Sequence, residues 1–168
     1  GLIVMFNVLV AEDDFSMRKF LEAALRENGF NPIMAVNGQE ALDILDMQHI
    51  DLLVTDIMMP GIDGYSLTEQ LRDAGFTLPI LMITAKDTVR DKKRGFLVGT
   101  DDYMVKPVDD EEMILRIKAL LRRARIVNER KLVIGDISLS YDSLSVKRGN
   151  ERFTLPQKEF YLLYKLLS

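Results

Sequence analysis

The sequence has no cysteine among its 168 residues. Disulfides and thiolate metal sites are therefore excluded. Its single histidine, His49, falls in a helix–strand connection and reads as a surface residue, so any metal must be taken by oxygen. The longest apolar runs are far too short to cross a bilayer, and no secretory signal is apparent. These absences predict a cytoplasmic chain without membrane association. Met5 stands as a candidate initiator, and the sequence leaves the origin of Gly1-Leu2-Ile3-Val4 open.

What is present suits a globular protein. An apolar fraction of 48% supports a core, and 168 residues accommodate one full domain with part of another. Charge is unevenly spread. Residues 1–127 carry 15 Lys+Arg against 21 Asp+Glu, a net of −6, while residues 128–168 carry 7 against 5, a net of +2. The acidic part suits cations, and the small basic excess does not argue nucleic-acid binding by itself.

Short apolar runs alternate with amphipathic stretches. Strands are expected at Phe6–Val10, Pro32–Val36, Asp51–Thr55, Pro79–Ile83 and Asp102–Val105. Helices are expected at Ser16–Asn28, Gly38–Gln48, Tyr65–Ala74, Thr88–Val98 and Asp109–Ala124. Met17, Phe20, Leu21, Ala24 and Leu25 have helical spacing that stops at Asn28-Gly29. The alternation predicts βαβ units, hence a parallel sheet covered on both faces. Leu52-Leu53-Val54 and Ile80-Leu81-Met82-Ile83, unbroken by polar residues, read as its central strands. Beyond Arg125, Leu132–Ile134, Ile137–Tyr141, Leu144–Lys147 and Arg152–Phe153 predict a small antiparallel sheet. A helix from Leu155 to Leu167 follows, with Phe160, Leu163 and Leu167 on one face. The organisation expected is a domain at 5–125, a linker at 126–131 and an incomplete second domain at 132–168.

In a parallel α/β sheet the C-terminal strand ends share one edge, where such sheets bind ligands. Glu12, Asp13, Asp56, Thr84 and Lys106 all fall at strand ends, so the five are expected to meet. Each alone has an ordinary explanation: acids at a strand end commonly cap a helix, as Asp14 is expected to do, and Lys-Pro commonly punctuates a loop. Together they offer three carboxylates, an ammonium and a hydroxyl. Carboxylates without sulfur or imidazole suit Mg²⁺, which completes its shell with water and phosphate oxygens. With phosphoryl oxygens neutralised, Asp56 can attack phosphorus in line and become an acyl phosphate. Lys106 must point back into the cleft, so Lys106-Pro107 is expected to be cis.

Val8-Leu9-Val10-Ala11-Glu12-Asp13-Asp14, Asp56-Ile57-Met58-Met59-Pro60-Gly61-Ile62-Asp63-Gly64, Ile83-Thr84-Ala85 and Asp101-Asp102-Tyr103-Met104-Val105-Lys106-Pro107 together resemble a bacterial response-regulator receiver domain. Leu132 through Leu155-Pro156-Gln157-Lys158-Glu159-Phe160 resembles the start of a winged-helix effector of the OmpR/PhoB class. The resemblance implies a flavodoxin-like five-stranded fold. It implies that Asp56 accepts phosphate from a sensor histidine kinase, with Mg²⁺ held by Glu12, Asp13, Asp56 and the Met58 backbone carbonyl. Thr84 and Tyr103 would act as the switch and Lys106 would pair with the phosphate. Lys92, Glu112, Asp102 and Arg116 match positions that form a symmetric dimer in that class, Lys92 to Glu112 and Asp102 to Arg116, promoted by phosphorylation. Two positions depart from the family: Glu12 replaces the commoner Asp, and Val108 stands where Phe often follows Lys-Pro.

The implied protein regulates transcription and catalyses only its own aspartyl phosphorylation and dephosphorylation. Promoter DNA is expected as a partner of the full-length protein but not of these 168 residues, which reach only the first helix of the effector. A haloacid-dehalogenase-like phosphatase shares the aspartyl nucleophile, Thr and Lys, but needs a second Asp where Met58 stands. A nucleotide or flavin carrier would want a Gly- and Ser-rich first loop, not Glu12-Asp13-Asp14. A phosphate-independent interaction module remains the alternative within the same fold.

Overall fold

In a computed structural model the chain forms two compact units, residues 1–121 and 122–168. The structure describes residues 5–85, 89–129, 132–134, 137–140, 145–149, 151–154 and 157–167. Strand and helix alternate in chain order through the first unit: β1 (Asn7–Ala11), α1 (Phe15–Glu27), β2 (Asn31–Ala35), α2 (Gly38–Met47), β3 (Leu52–Asp56), α3 (Gly64–Asp73), β4 (Ile80–Thr84), α4 (Val89–Val98), β5 (Asp102–Val105) and α5 (Asp110–Glu129), whose last residues fall in the second unit. Its sheet is wholly parallel, in the order β2-β1-β3-β4-β5. That is the flavodoxin-like, doubly wound order, with the strand sequence reversing beside β1.

Alternate side chains of each strand serve opposite faces, as the pleat dictates. Val8, Val10, Leu52, Val54, Leu81, Ile83 and Met104 pack against Leu21 and Leu25 of α1 and Met113, Ile117 and Leu120 of α5. Leu9, Ala11, Leu53 and Ile80 face the other way, onto Ala41 and Leu45 of α2 and Leu67 and Leu71 of α3. A third cluster, Ile57, Tyr65, Met82 and Tyr103, takes Val98 and Val105 against it. The sheet is thus buried on both sides, which is why β3 and β4 carry unbroken apolar runs.

Helix starts follow local chemistry. Asp14, Asn37 and Asp63 are extended and cap α1, α2 and α3, their side chains accepting from the backbone N–H of Met17, Glu40 and Ser66. Gly29 ends α1 with φ +83°, the left-handed conformation expected of an Asn-Gly stop.

Three boundaries differ from expectation in ways that matter. β3 and β4 each run one residue further, so Asp56 and Thr84 are the last residues of their strands rather than the residues after them. The expected linker is also partly helical: α5 continues through Glu129, and only residues 130 and 131 of 126–131 lie outside the described residues. Leu115–Glu129 contains no Gly or Pro to stop it, and good helix formers propagate at little cost.

The second unit has an antiparallel sheet of β6 (Leu132–Ile134), β7 (Ile137–Ser140), β8 (Ser145–Arg148) and β9 (Glu151–Thr154), in that spatial order, then α6 (Gln157–Leu167). Tyr141, Leu144 and Leu155, expected in these elements, lie outside the described residues, as does the Phe160 side chain.

Candidate functional site: an acidic cleft at the carboxyl edge of the sheet

Register places the site. Ala11 pairs with Thr55, Thr55 with Met82 and Met82 with Tyr103. One rung on, Glu12 leaves β1 while Asp56 pairs with Ile83 and Ile83 with Met104; Thr84 then pairs with Val105. The polar residues therefore emerge together where the apolar rungs stop.

Asp56 is 6% exposed and Glu12 2%, both buried for carboxylates, while Asp13 lies exposed at the rim. One oxygen from each of Glu12, Asp13 and Asp56 lies within 4.8 Å of the others, a spacing at which a single cation can take all three. The donor set is all oxygen and a metal would offset its mutual repulsion, so these residues fit a hard divalent ion. Lys106 reaches in from the end of β5, its Nζ 2.8 Å from Asp56 Oδ2 and 3.4 Å from Glu12 Oε2. The Lys106-Pro107 peptide is cis, as expected. The Lys106 backbone N–H also donates to the Thr84 carbonyl at 2.7 Å, tying β5's end to β4's. Thr84 is fully buried and Tyr103 is 8% exposed.

The loop after Asp56 is held closely. Met58 donates its N–H to Asp56 Oδ1 at 3.3 Å and turns its side chain outward. Gly64 donates to the Ile57 carbonyl at 2.8 Å, and a Cβ at Gly64 would collide with the Asp56 carbonyl and come within 2.8 Å of Ile57 Cα. Only glycine permits that approach.

Burial and the neighbouring Asp56 charge push the Glu12 carboxyl up from its usual 4.5 to about 7, although Lys106 pulls the other way. Burial alone would lower Lys106. Its hydrogen bond to Asp56 and the charges of Asp56 and Glu12 outweigh that and raise it.

The positions expected at a dimer face are brought together only in part, and within one chain. Arg116 Nη1 lies 3.0 Å from both Asp102 oxygens, and its Nη2 3.0 Å from Glu112 Oε1. Lys92 lies exposed on α4. His49 is exposed, as expected, its Nε2 2.8 Å from Asp51 Oδ1. Three contributors escaped the sequence reading. Arg18 Nη1 donates to the carbonyls of Glu12 and Asp13, 3.0 Å each. Arg72 bonds the carbonyls of Phe76, Leu78 and Gly99 and the Asp101 carboxylate. Tyr65, buried, donates to the Asp91 carbonyl at 3.0 Å beneath the Arg94 guanidinium, 4.3 Å from its ring. A lone Arg or Tyr in a helix carries no sequence signal for such work.

Residues 8–118 match the response regulator receiver domain family. The chain belongs to that family. The heme response regulator HssR of Staphylococcus epidermidis is 37% identical over 164 residues, 98% of this chain and 73% of that one. HssR of Staphylococcus aureus is 38% identical over the same shares. Among solved structures, a Francisella response regulator's receiver domain has a TM-score of 0.68 at 36% identity, over 70% of this chain and 98% of its own. DrrB, a Thermotoga maritima OmpR/PhoB homolog, shares the fold over 98% of this chain and 73% of its own, with a TM-score of 0.66 at 24% identity. The chain is thus a two-component response regulator with a receiver of the same fold as these. Among the described residues no helix is long and apolar enough to cross a membrane.

Proposed function

We propose that Asp56 accepts a phosphoryl group from the phosphohistidine of a sensor histidine kinase, in a Mg²⁺-dependent step, and that the phosphorylated chain dimerises to control transcription. The observation that carries this is the convergence of three carboxylates and one ammonium on one cleft, with Lys106 Nζ 2.8 Å from Asp56 Oδ2. Glu12, Asp13, Asp56 and the Met58 backbone carbonyl would hold the ion. When bound, it neutralises and aligns the phosphoryl oxygens for in-line displacement. The Asp56 carboxylate forms the new O–P bond as the donor's P–N bond breaks and the imidazole leaves. Lys106 then moves its hydrogen bond from the carboxylate to a phosphoryl oxygen, keeping the charge balanced.

Thr84, one residue beyond the Asp56 rung on β4, would donate its hydroxyl to the phosphoryl group, and Tyr103 would follow inward under α4. Residues 5–125 act as receiver and 132–168 as the first part of a winged-helix effector of the OmpR/PhoB class. Lys92, Asp102, Glu112 and Arg116 would exchange partners across a two-fold axis, Lys92 with Glu112 and Asp102 with Arg116. The setting is the cytoplasm, and promoter DNA is the partner of the full-length protein. Apart from making and hydrolysing its own acyl phosphate, the chain has no catalytic task, because Met58 cannot relay a proton to or from an outside substrate.

Intact-mass spectrometry with Mg²⁺ and a small phosphodonor tests this directly. Wild type should gain about 80 Da, one phosphoryl unit, and Asp56→Asn should gain nothing. Equal labelling of both would remove Asp56 as acceptor, and no labelling of either would favour a phosphate-independent interaction module.

A further inference from the structure

Arg18 is the one cation, among the described side chains, whose guanidinium bonds the backbone of the acidic pair. It lies in the first turn of α1, with its own N–H on the Asp14 carbonyl at 2.9 Å. Its Nη1 reaches back over the β1–α1 turn and donates to the carbonyls of Glu12 and Asp13, each at 3.0 Å. These carbonyls follow Ala11, the last residue paired with β2 and β3, so the strand ladder no longer holds them. The turn is otherwise tied by the Glu12 N–H to the Ala35 carbonyl at 3.1 Å and by the Asp14 cap on Met17 at 2.8 Å. The Asp14 N–H also donates to Glu12 Oε1 at 3.1 Å. Among the described side chains, Arg18 alone bonds the backbone carbonyls of both residues that carry the carboxylates.

We propose that Arg18 is a positioning residue for the divalent-cation site, acting through the backbone of Glu12 and Asp13 without touching the ion. This rests on the metal-dependent reading given above. Two physical effects of Arg18 have opposite signs, which makes the inference testable. As a positive charge beside a cation site, Arg18 repels the ion, so its removal by electrostatics alone tightens binding. As a pin on the turn, it holds two ligands in place, and its removal weakens binding. Groups that orient metal ligands typically contribute about 10- to 100-fold in affinity. Positioning should therefore outweigh repulsion.

The experiment is Mn²⁺ binding to the whole chain, followed by electron paramagnetic resonance with no phosphodonor present, for wild type, Arg18→Gln and Arg18→Lys. Arg18→Gln should bind Mn²⁺ about tenfold more weakly. Arg18→Lys, which keeps a donor and the charge, should recover part of that loss. At subsaturating Mg²⁺ Arg18→Gln should label Asp56 more slowly than wild type, and raising Mg²⁺ should narrow the gap, since the pin assembles the site rather than reacting in it. Metal-free melting reports the fold separately, and Leu21, Ala24 and Leu25 anchor α1 independently of Arg18. Arg18→Gln binding as tightly as wild type, or more tightly, would overturn the proposal. Failure of Asp56 to label would leave the Mn²⁺ comparison intact, so the two readings fail separately.

Discussion

Glu12 is the residue on which the cleft's electrostatics turn. Its carboxyl is buried beside Asp56 and titrates at about 7 instead of 4.5. In the metal-free protein it therefore holds a proton across much of the range in which an ordinary glutamate is ionised. A cation must displace that proton, so apparent Mg²⁺ affinity should rise with pH up to about 7 and then level off. Calorimetry in buffers of different ionisation enthalpy should detect the released proton below that pH. Glu12→Gln should bind more weakly and lose the slope; a retained slope would assign the proton elsewhere. The stability sign is fixed by the same shift. A folded value above the unfolded one contributes stability that is fully present below 4.5 and lost as pH rises through about 7. Metal-free protein should thus melt lower at pH 8 than at pH 6 by this group's contribution, and Mg²⁺ should restore it.

At the scale of elements, the β3–α3 connection is the most constrained. Gly64 packs against the backbone of Asp56 and Ile57 with no room for a methyl group. Gly64→Ala must push the acceptor's own carbonyl aside, and should cost about 1–3 kcal/mol, the usual range for overpacking. Denaturant titration gives that figure, and slower labelling of Asp56 should accompany it. A variant with wild-type stability and labelling would show that the loop relaxes freely. The strand–helix alternation was legible because the strands are short, mainly apolar runs with polar residues at their ends, and the helices are patterned on one side. The five polar residues were legible because a parallel sheet brings strand ends to one edge. Arg18, Arg72 and Tyr65 were not, since their partners are mostly backbone carbonyls, some a turn or two away and some across the fold, and nothing in a residue's type announces which carbonyl it meets. The continuation of α5 past Ala124 was missed for a different reason. The pattern of residues changes after Arg125, as at a boundary, yet no breaker stands there to end the helix.

For the whole molecule, the α4–β5–α5 face is poised rather than empty. Arg116 already bonds Asp102 and Glu112 in its own chain, so the proposed dimer, if it uses these charges, would exchange partners rather than gain new ones. Such half-exposed pairs typically contribute about 0–1 kcal/mol each. Arg116→Ala should accordingly leave monomer stability nearly unchanged and labelling of Asp56 intact, while weakening association of the phosphorylated chain. Sedimentation of phosphorylated wild type and variant measures the difference; equal dimerisation would assign the interface to another surface.

The rung-by-rung register carries a consequence for changes of length. Asp56, Thr84 and Lys106 occupy their places only because each follows a fixed number of paired residues from the opposite edge of the sheet. Inserting or deleting one residue inside β1, β3, β4 or β5 would send every later side chain of that strand to the other face and move its terminal group out of the cleft. The turns at Asn28-Gly29 and Ala74-Gly75, at the ends of α1 and α3, carry no such constraint. Tolerance to single insertions along this chain should therefore be periodic, forgiving between each helix and the strand that follows it and lethal to phosphoacceptance within the strands.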